Sequence, residues 1–121
     1  MKYTVSQVAT LLGRSDTQIS YYARSGLVGP ESVGMGFVRK WTPTDIEALR
    51  IVLALSDHKL RPAKLLTRDA LYRAVSEGTR YIAIQRSPRR IIFIGDDREI
   101  YRTLTDVENI VTVDLKARRA A

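Results

Sequence analysis

Two stretches near the start of the chain carry the same punctuation, and they constrain the fold more than anything after them. Thr4 is followed three residues on by Gln7, and Ser15 by Gln18. A Ser or Thr hydroxyl accepts a bond from the backbone N–H three residues ahead, and a Gln there can return one to the cap's own N–H. Both stretches therefore start helices. Gly13 and Gly26 can take the left-handed conformation that ends them. In the first helix Val8, Ala9 and Leu12 form an apolar stripe. In the second, Ile19 and Tyr22 share one face, while Asp16, Thr17, Ser20, Tyr21 and Arg24 fall largely on the others. The helices meet across Gly13-Arg14-Ser15. A helix-turn-helix needs a small residue where the helices touch, a reversing glycine and a branched lock in the second helix, and Ala9, Gly13 and Ile19 supply these in order. Two amphipathic helices around a glycine also occur in ordinary bundles.

The next residues favour DNA reading. Tyr3-Thr4-Val5, Val8-Ala9, Leu11-Leu12-Gly13, Ser15, Ile19, Tyr21-Tyr22, Arg24 and Gly26-Leu27 resemble the N-terminal domain of the MerR family of winged helix-turn-helix regulators. Gly36-Phe37, Arg39-Lys40-Trp41-Thr42 and Asp45-Ile46 continue the resemblance through the family's wing and the helix after it. It covers roughly the first half of the chain. Ser20 stands where the family usually has Arg, Ala23 where it has Glu, and Val38 is an added wing residue. The resemblance implies a DNA-binding transcriptional regulator whose second helix enters the major groove. Thr17, Gln18 and Ser20 are best placed for base edges, Gln being able to pair bidentately with adenine. Arg14, Tyr21 and Arg24, with Arg39 and Lys40 from the wing, would meet phosphates, which fix register without reading sequence. Tyr21 suits a core position as well.

Composition narrows the chemistry. Twenty Lys+Arg against thirteen Asp+Glu leave a net charge of +7 over 121 residues, which favours a polyanionic partner without naming it. Cysteine is absent and His58 is the only histidine, so disulfides and thiolate chemistry are excluded and a His/Cys zinc site is implausible. The metal- and redox-sensing MerR relatives detect their signals through cysteines, and this chain is expected to have no metal, no cofactor and no such sensing. No apolar run approaches a membrane span and Met1-Lys2 leads straight into a capped helix, so the expectation is a cytoplasmic protein with no membrane partner.

After the second helix, Leu27-Val28-Gly29-Pro30 reads as a loop and residues 32–41 as a hairpin, the wing, anchored by Phe37 and Trp41. A solvated surface loop is the plainer reading of the same residues. Thr42-Pro43-Thr44-Asp45 starts a third helix, buried through Ile46, Leu49, Val52, Leu53 and Leu60. The pattern changes near Arg61-Pro62. A helix over about 68–77 closes at Gly78, and Tyr81-Ile82-Ala83-Ile84 and Ile91-Ile92-Phe93-Ile94 read as a hairpin with a basic tip, Arg86-Ser87-Pro88-Arg89-Arg90. A short helix through Ile100, Tyr101 and Leu104 and a third strand over 110–115 follow.

The expected fold is thus α+β, with a winged helix-turn-helix domain over residues 1–60 and a small domain over 61–121 in the order helix, strand, strand, helix, strand. No heptad pattern follows Gly78, so the long coiled coil that pairs most MerR proteins is missing. The strands of the second half are the candidate surface for a homodimer, a higher oligomer or a protein partner, and the basic tip suits an acidic partner, a second DNA contact or plain solvation. Catalysis has little support. Asp96, Asp97 and Glu99 suit a helix N-terminus better than a metal site, and His58 suits a solvated or capping role. An excisionase-like accessory factor that bends DNA, or an antitoxin-like module whose second half binds a protein, would use the same first domain.

Overall fold

The protein is α+β in a computed structural model that describes residues 2–30, 40–86, 89–95 and 110–115. The chain divides into two compact units, Met1–Tyr72 and Arg73–Ala121.

In the first unit, α1 (Val5–Leu12) begins at Thr4, whose hydroxyl accepts from the Gln7 N–H while the Gln7 side chain accepts from the Thr4 N–H. It ends at Gly13, left-handed at φ 66°. Helix α2 (Asp16–Arg24) begins at Ser15, whose hydroxyl accepts from the Gln18 N–H. Here the reciprocal bond from the Gln18 side chain is not formed among the described residues. Gly26 follows α2 at φ 79°. Val8, Ala9 and Ile19 are buried, as the crossing of two helices at a small residue requires. Full burial of aliphatic side chains such as Val8 and Ile19 contributes about 1.5–3 kcal/mol each.

Helix α3 (Pro43–Asp57) has a complete box, Thr42 with Asp45, and Pro43 in its first turn. Its buried set is broader than one stripe: Ile46, Ala48, Leu49, Ile51, Val52, Leu53 and Leu55 are all inaccessible. His58 is its C-cap. A one-turn helix α4 (Pro62–Leu65) follows, which periodicity could not reveal because four residues carry no period. Tyr3 and Trp41 pair as an isolated antiparallel bridge, each N–H donating to the other's carbonyl at 2.8 Å. Residues 31–39, which hold the expected wing strand and Arg39, lie outside the described residues.

Helix α5 (Arg68–Ser76) starts in the first unit and ends in the second. The first unit runs through Tyr72 because Arg68 and Tyr72 bond to residues within it, as described below. Gly78 closes the helix region at φ 77°. In the second unit β1 (Tyr81–Arg86) pairs antiparallel with β2 (Arg89–Ile94) on one side and β3 (Ile110–Asp114) on the other, giving the order β2-β1-β3. Tyr81, Ile82, Ala83 and Ile84 are all buried, so the first four residues of the central strand are covered on both faces. The three strands match those expected from sequence, whereas the helix expected through Ile100 and Leu104 lies outside the described residues, as do Asp96, Asp97 and Glu99.

Candidate nucleic-acid interface

Helix α2 sorts its residues onto two opposed stripes. Ile19, Tyr22 and Ala23 are buried, at the i, i+3, i+4 spacing of one helix face. Thr17, Ser20, Tyr21 and Arg24 stand at i, i+3, i+4 and i+7 and form the other face. Thr17, Tyr21 and Arg24 are exposed and Ser20 is half-buried. Gln18 lies at the flank between them, half-buried, in the first turn. Helical side chains lean toward the N-terminus, so Gln18 is carried toward the leading end of the helix, the end that approaches base edges in a helix-turn-helix. Its side chain is not used by the Ser15 cap, which takes only its backbone N–H.

The tyrosine pair divides its labour. Tyr22 is buried with its hydroxyl donating to Ser56 Oγ of α3 at 2.8 Å. Tyr21 is 62% exposed and meets the Tyr22 ring edge-on at a centroid distance of 5.3 Å. An exposed aromatic braced by a buried one is held in place at the surface, which suits a phosphate contact and leaves the core role to Tyr22.

Arg14 is placed differently from its neighbours. Its two terminal nitrogens donate to the two carboxylate oxygens of Asp57, at 3.1 and 2.6 Å, and only 15% of its side chain is exposed. The hydrogen bond to Asp57 raises the Arg14 pKa above its ordinary value. A bidentate fork on a carboxylate is a strong, oriented pair, so this guanidinium ties the α1–α2 turn to the last residue of α3. Ser6 of α1 ties α1 to α2, donating to Asp16 Oδ2 at 2.7 Å.

The base of the expected wing is set by a small polar network. Asp45, 7% exposed, accepts from the Thr42 N–H and from the Tyr72 hydroxyl. That hydroxyl accepts from the Gly29 N–H at 3.0 Å. Arg68 lies over the Tyr72 ring at 4.6 Å and donates to the Gly29 carbonyl at 2.7 Å. Gly29 has φ 98°, and a Cβ there would come within 2.6 Å of the buried Trp41 ring. The backbone passes this close to the indole only because the residue is glycine. Residues 27–30 are therefore a packed segment, with Leu27 and Val28 buried. Lys40 is exposed and adjoins Trp41, which the bridge to Tyr3 holds. The sequence shows a loop here because the partners, Trp41, Arg68 and Tyr72, lie far along the chain.

A family model described as MerR HTH family regulatory protein matches residues 3–65, more than half of the chain. The chain belongs to that family. No curated protein matches it. The MerR match spans both helices of the helix-turn-helix, the bridge at Trp41, α3 and α4. Arg68 and Tyr72 lie just beyond it. Of the residues expected at DNA, Thr17, Ser20, Tyr21 and Arg24 share one face of α2, with Gln18 at its flank. Lys40 is exposed beside Trp41, Arg14 is bound to Asp57, and Arg39 is outside the described residues. The described residues contain no helix long and apolar enough to cross a membrane.

Proposed function

We propose that the chain is a sequence-specific regulator of transcription in the cytoplasm that binds double-stranded DNA with α2 in the major groove. The observation that carries this is the exposed stripe of Thr17, Ser20, Tyr21 and Arg24 on the face opposite the buried one. Thr17 and Ser20, with Gln18 at the leading turn, approach base edges, while Tyr21, Arg24, Lys40 and Arg39 meet phosphates. The protein acts by binding and not by catalysis. It senses neither metal nor thiol oxidation, because it has no cysteine and a single histidine. Its family is regulatory, which favours transcription over a recombination accessory role or an antitoxin role.

A DNA-bound winged helix covers one half-site, so genomic specificity needs two units at fixed spacing. Because no heptad pattern follows Gly78 in the sequence, the outer strands of the β2-β1-β3 sheet are the surface through which two chains pair.

The docking is tested by the salt dependence of binding. Arg24→Ala weakens binding to cognate and random duplexes alike and lowers the slope of log affinity against log salt by about 0.9, the signature of one lost phosphate contact. Arg14→Ala leaves that slope unchanged and lowers stability by about 1–2 kcal/mol, because its partner is Asp57. A slope unaffected by Arg24→Ala would remove the docking model.

A further inference from the structure

Helix α2 runs directly into a segment that side chains hold. Just past its last residue, Arg24, the Ser25 hydroxyl donates to the Tyr22 carbonyl at 2.6 Å and accepts from the Leu27 N–H at 3.3 Å. The Gly26 and Gly29 carbonyls then accept from one guanidinium, Arg68 Nη1 at 3.4 Å and Nη2 at 2.7 Å. Tyr72, one turn further along α5, accepts from the Gly29 N–H at 3.0 Å and lies under the Arg68 fork. Both backbone polar groups of the buried Gly29 are thus satisfied by side chains of α5. The described hydrogen bonds of residues 27–29 all come from side chains, so the stretch depends on them for its path away from α2. Arg68 suits this place by shape as well as charge: donors on two nitrogens of a planar fork reach carbonyls three residues apart, where a lysine ammonium is a single point. Arg68 and Tyr72 belong to the first unit yet lie beyond residues 3–65, so the family match does not supply their role.

We propose that Arg68 is a positioning residue for DNA binding, which clamps the segment Gly26 to Gly29 and so holds the last turn of α2, and with it Arg24, in place for a phosphate. The inference rests on the DNA-binding reading of α2. Helix ends fray where they are not tied down, and Arg24 is the exposed end of this helix. A frayed turn must be ordered when the duplex docks, which weakens binding. Arg68 is half-buried with both terminal nitrogens on carbonyls, so it acts through α2 and is not itself a phosphate ligand.

The test measures affinity for the cognate duplex over a range of salt, well below every melting point, for the whole chain and its R24A, R68A, R68K and R24A/R68A forms. R68A weakens binding by about three- to thirtyfold. R68K, which keeps the charge but not the fork, does not restore it. The R24A/R68A chain binds within about twofold of R24A and shares its salt slope, because the two residues serve one contact. Should R68A fail to fold, R68K carries the same comparison, alone and with R24A. A folded R68A or R68K chain that binds like the unsubstituted one overturns the proposal and leaves the clamp to stability alone. So does a loss that adds to that of R24A, which with a further drop of about 0.9 in slope makes Arg68 a phosphate ligand in its own right. An R24A chain with unchanged affinity and slope removes the proposed docking of α2, and the positioning role falls with it.

Discussion

Tyr72 joins three parts of the first unit: its hydroxyl donates to Asp45 and accepts from the Gly29 N–H, and its ring carries Arg68. Burial, followed by the bond to Asp45, pushes its pKa from the ordinary 10.0 to about 12, with the Gly29 N–H opposing the rise. The folded state therefore holds this proton more tightly than the unfolded chain. The stability it contributes is fully present below about pH 10 and is lost as the pH climbs toward about 12. Tyr72→Phe lacks that loss. Thermal melts of the two proteins between about pH 9 and 12 should show a gap that favours wild type at the lower end and closes at the upper; a constant gap would mean the hydroxyl is not in this network. Tyr72 was invisible in the sequence for the same reason as the Arg14–Asp57 pair. Each joins residues tens of positions apart, and no local spacing encodes such a meeting. In the sequence Arg14 is simply a basic residue in the turn before a recognition helix, and nothing local to it points to its partner Asp57.

Helices were legible because their signals are local. Thr4, Ser15 and Thr42 cap where their side-chain chemistry says they should, and Gly13 and Gly26 turn left-handed where the apolar stripes stop. The one local signal that misled is Gln18. Its spacing from Ser15 matches a capping box, yet only the backbone half of the box forms. That leaves its carboxamide available, and the expected consequence is separable from capping. Gln18→Ala should relax preference at one or two base pairs by about 1–3 kcal/mol while non-specific affinity and helix stability change little. Binding-site selection with the substituted protein decides this; an unaltered site profile places sequence reading with Thr17 and Ser20 alone. The segment at 27–30 was harder. Its Gly and Pro mark a loop correctly, but its burial depends on Trp41 and Tyr72, which only the folded chain brings to it.

At the scale of the whole molecule, strands were legible as apolar runs, whereas their order was not, because periodicity says nothing about which strand lies between the others. The order β2-β1-β3 leaves two outer strands, and these are where self-association is expected. By sedimentation the 121-residue chain should be a dimer or larger, and a chain ending at Gly78 a monomer that no longer binds paired half-sites cooperatively. A monomeric 121-residue chain with cooperative binding would move the pairing onto the DNA itself.

The same strand order sets a sequence of events during synthesis. Only two residues separate β1 from β2, so that hairpin closes within microseconds of emerging, while β3 must wait for residues 95–109. In the interval β1 has one open edge beside a nearly complete apolar strand, and the β3 of a neighbouring nascent copy fits that edge as well as its own does. Strand-exchanged dimers would form in this window, in proportion to how crowded the nascent chains are, and once formed would separate only as slowly as the sheet itself opens.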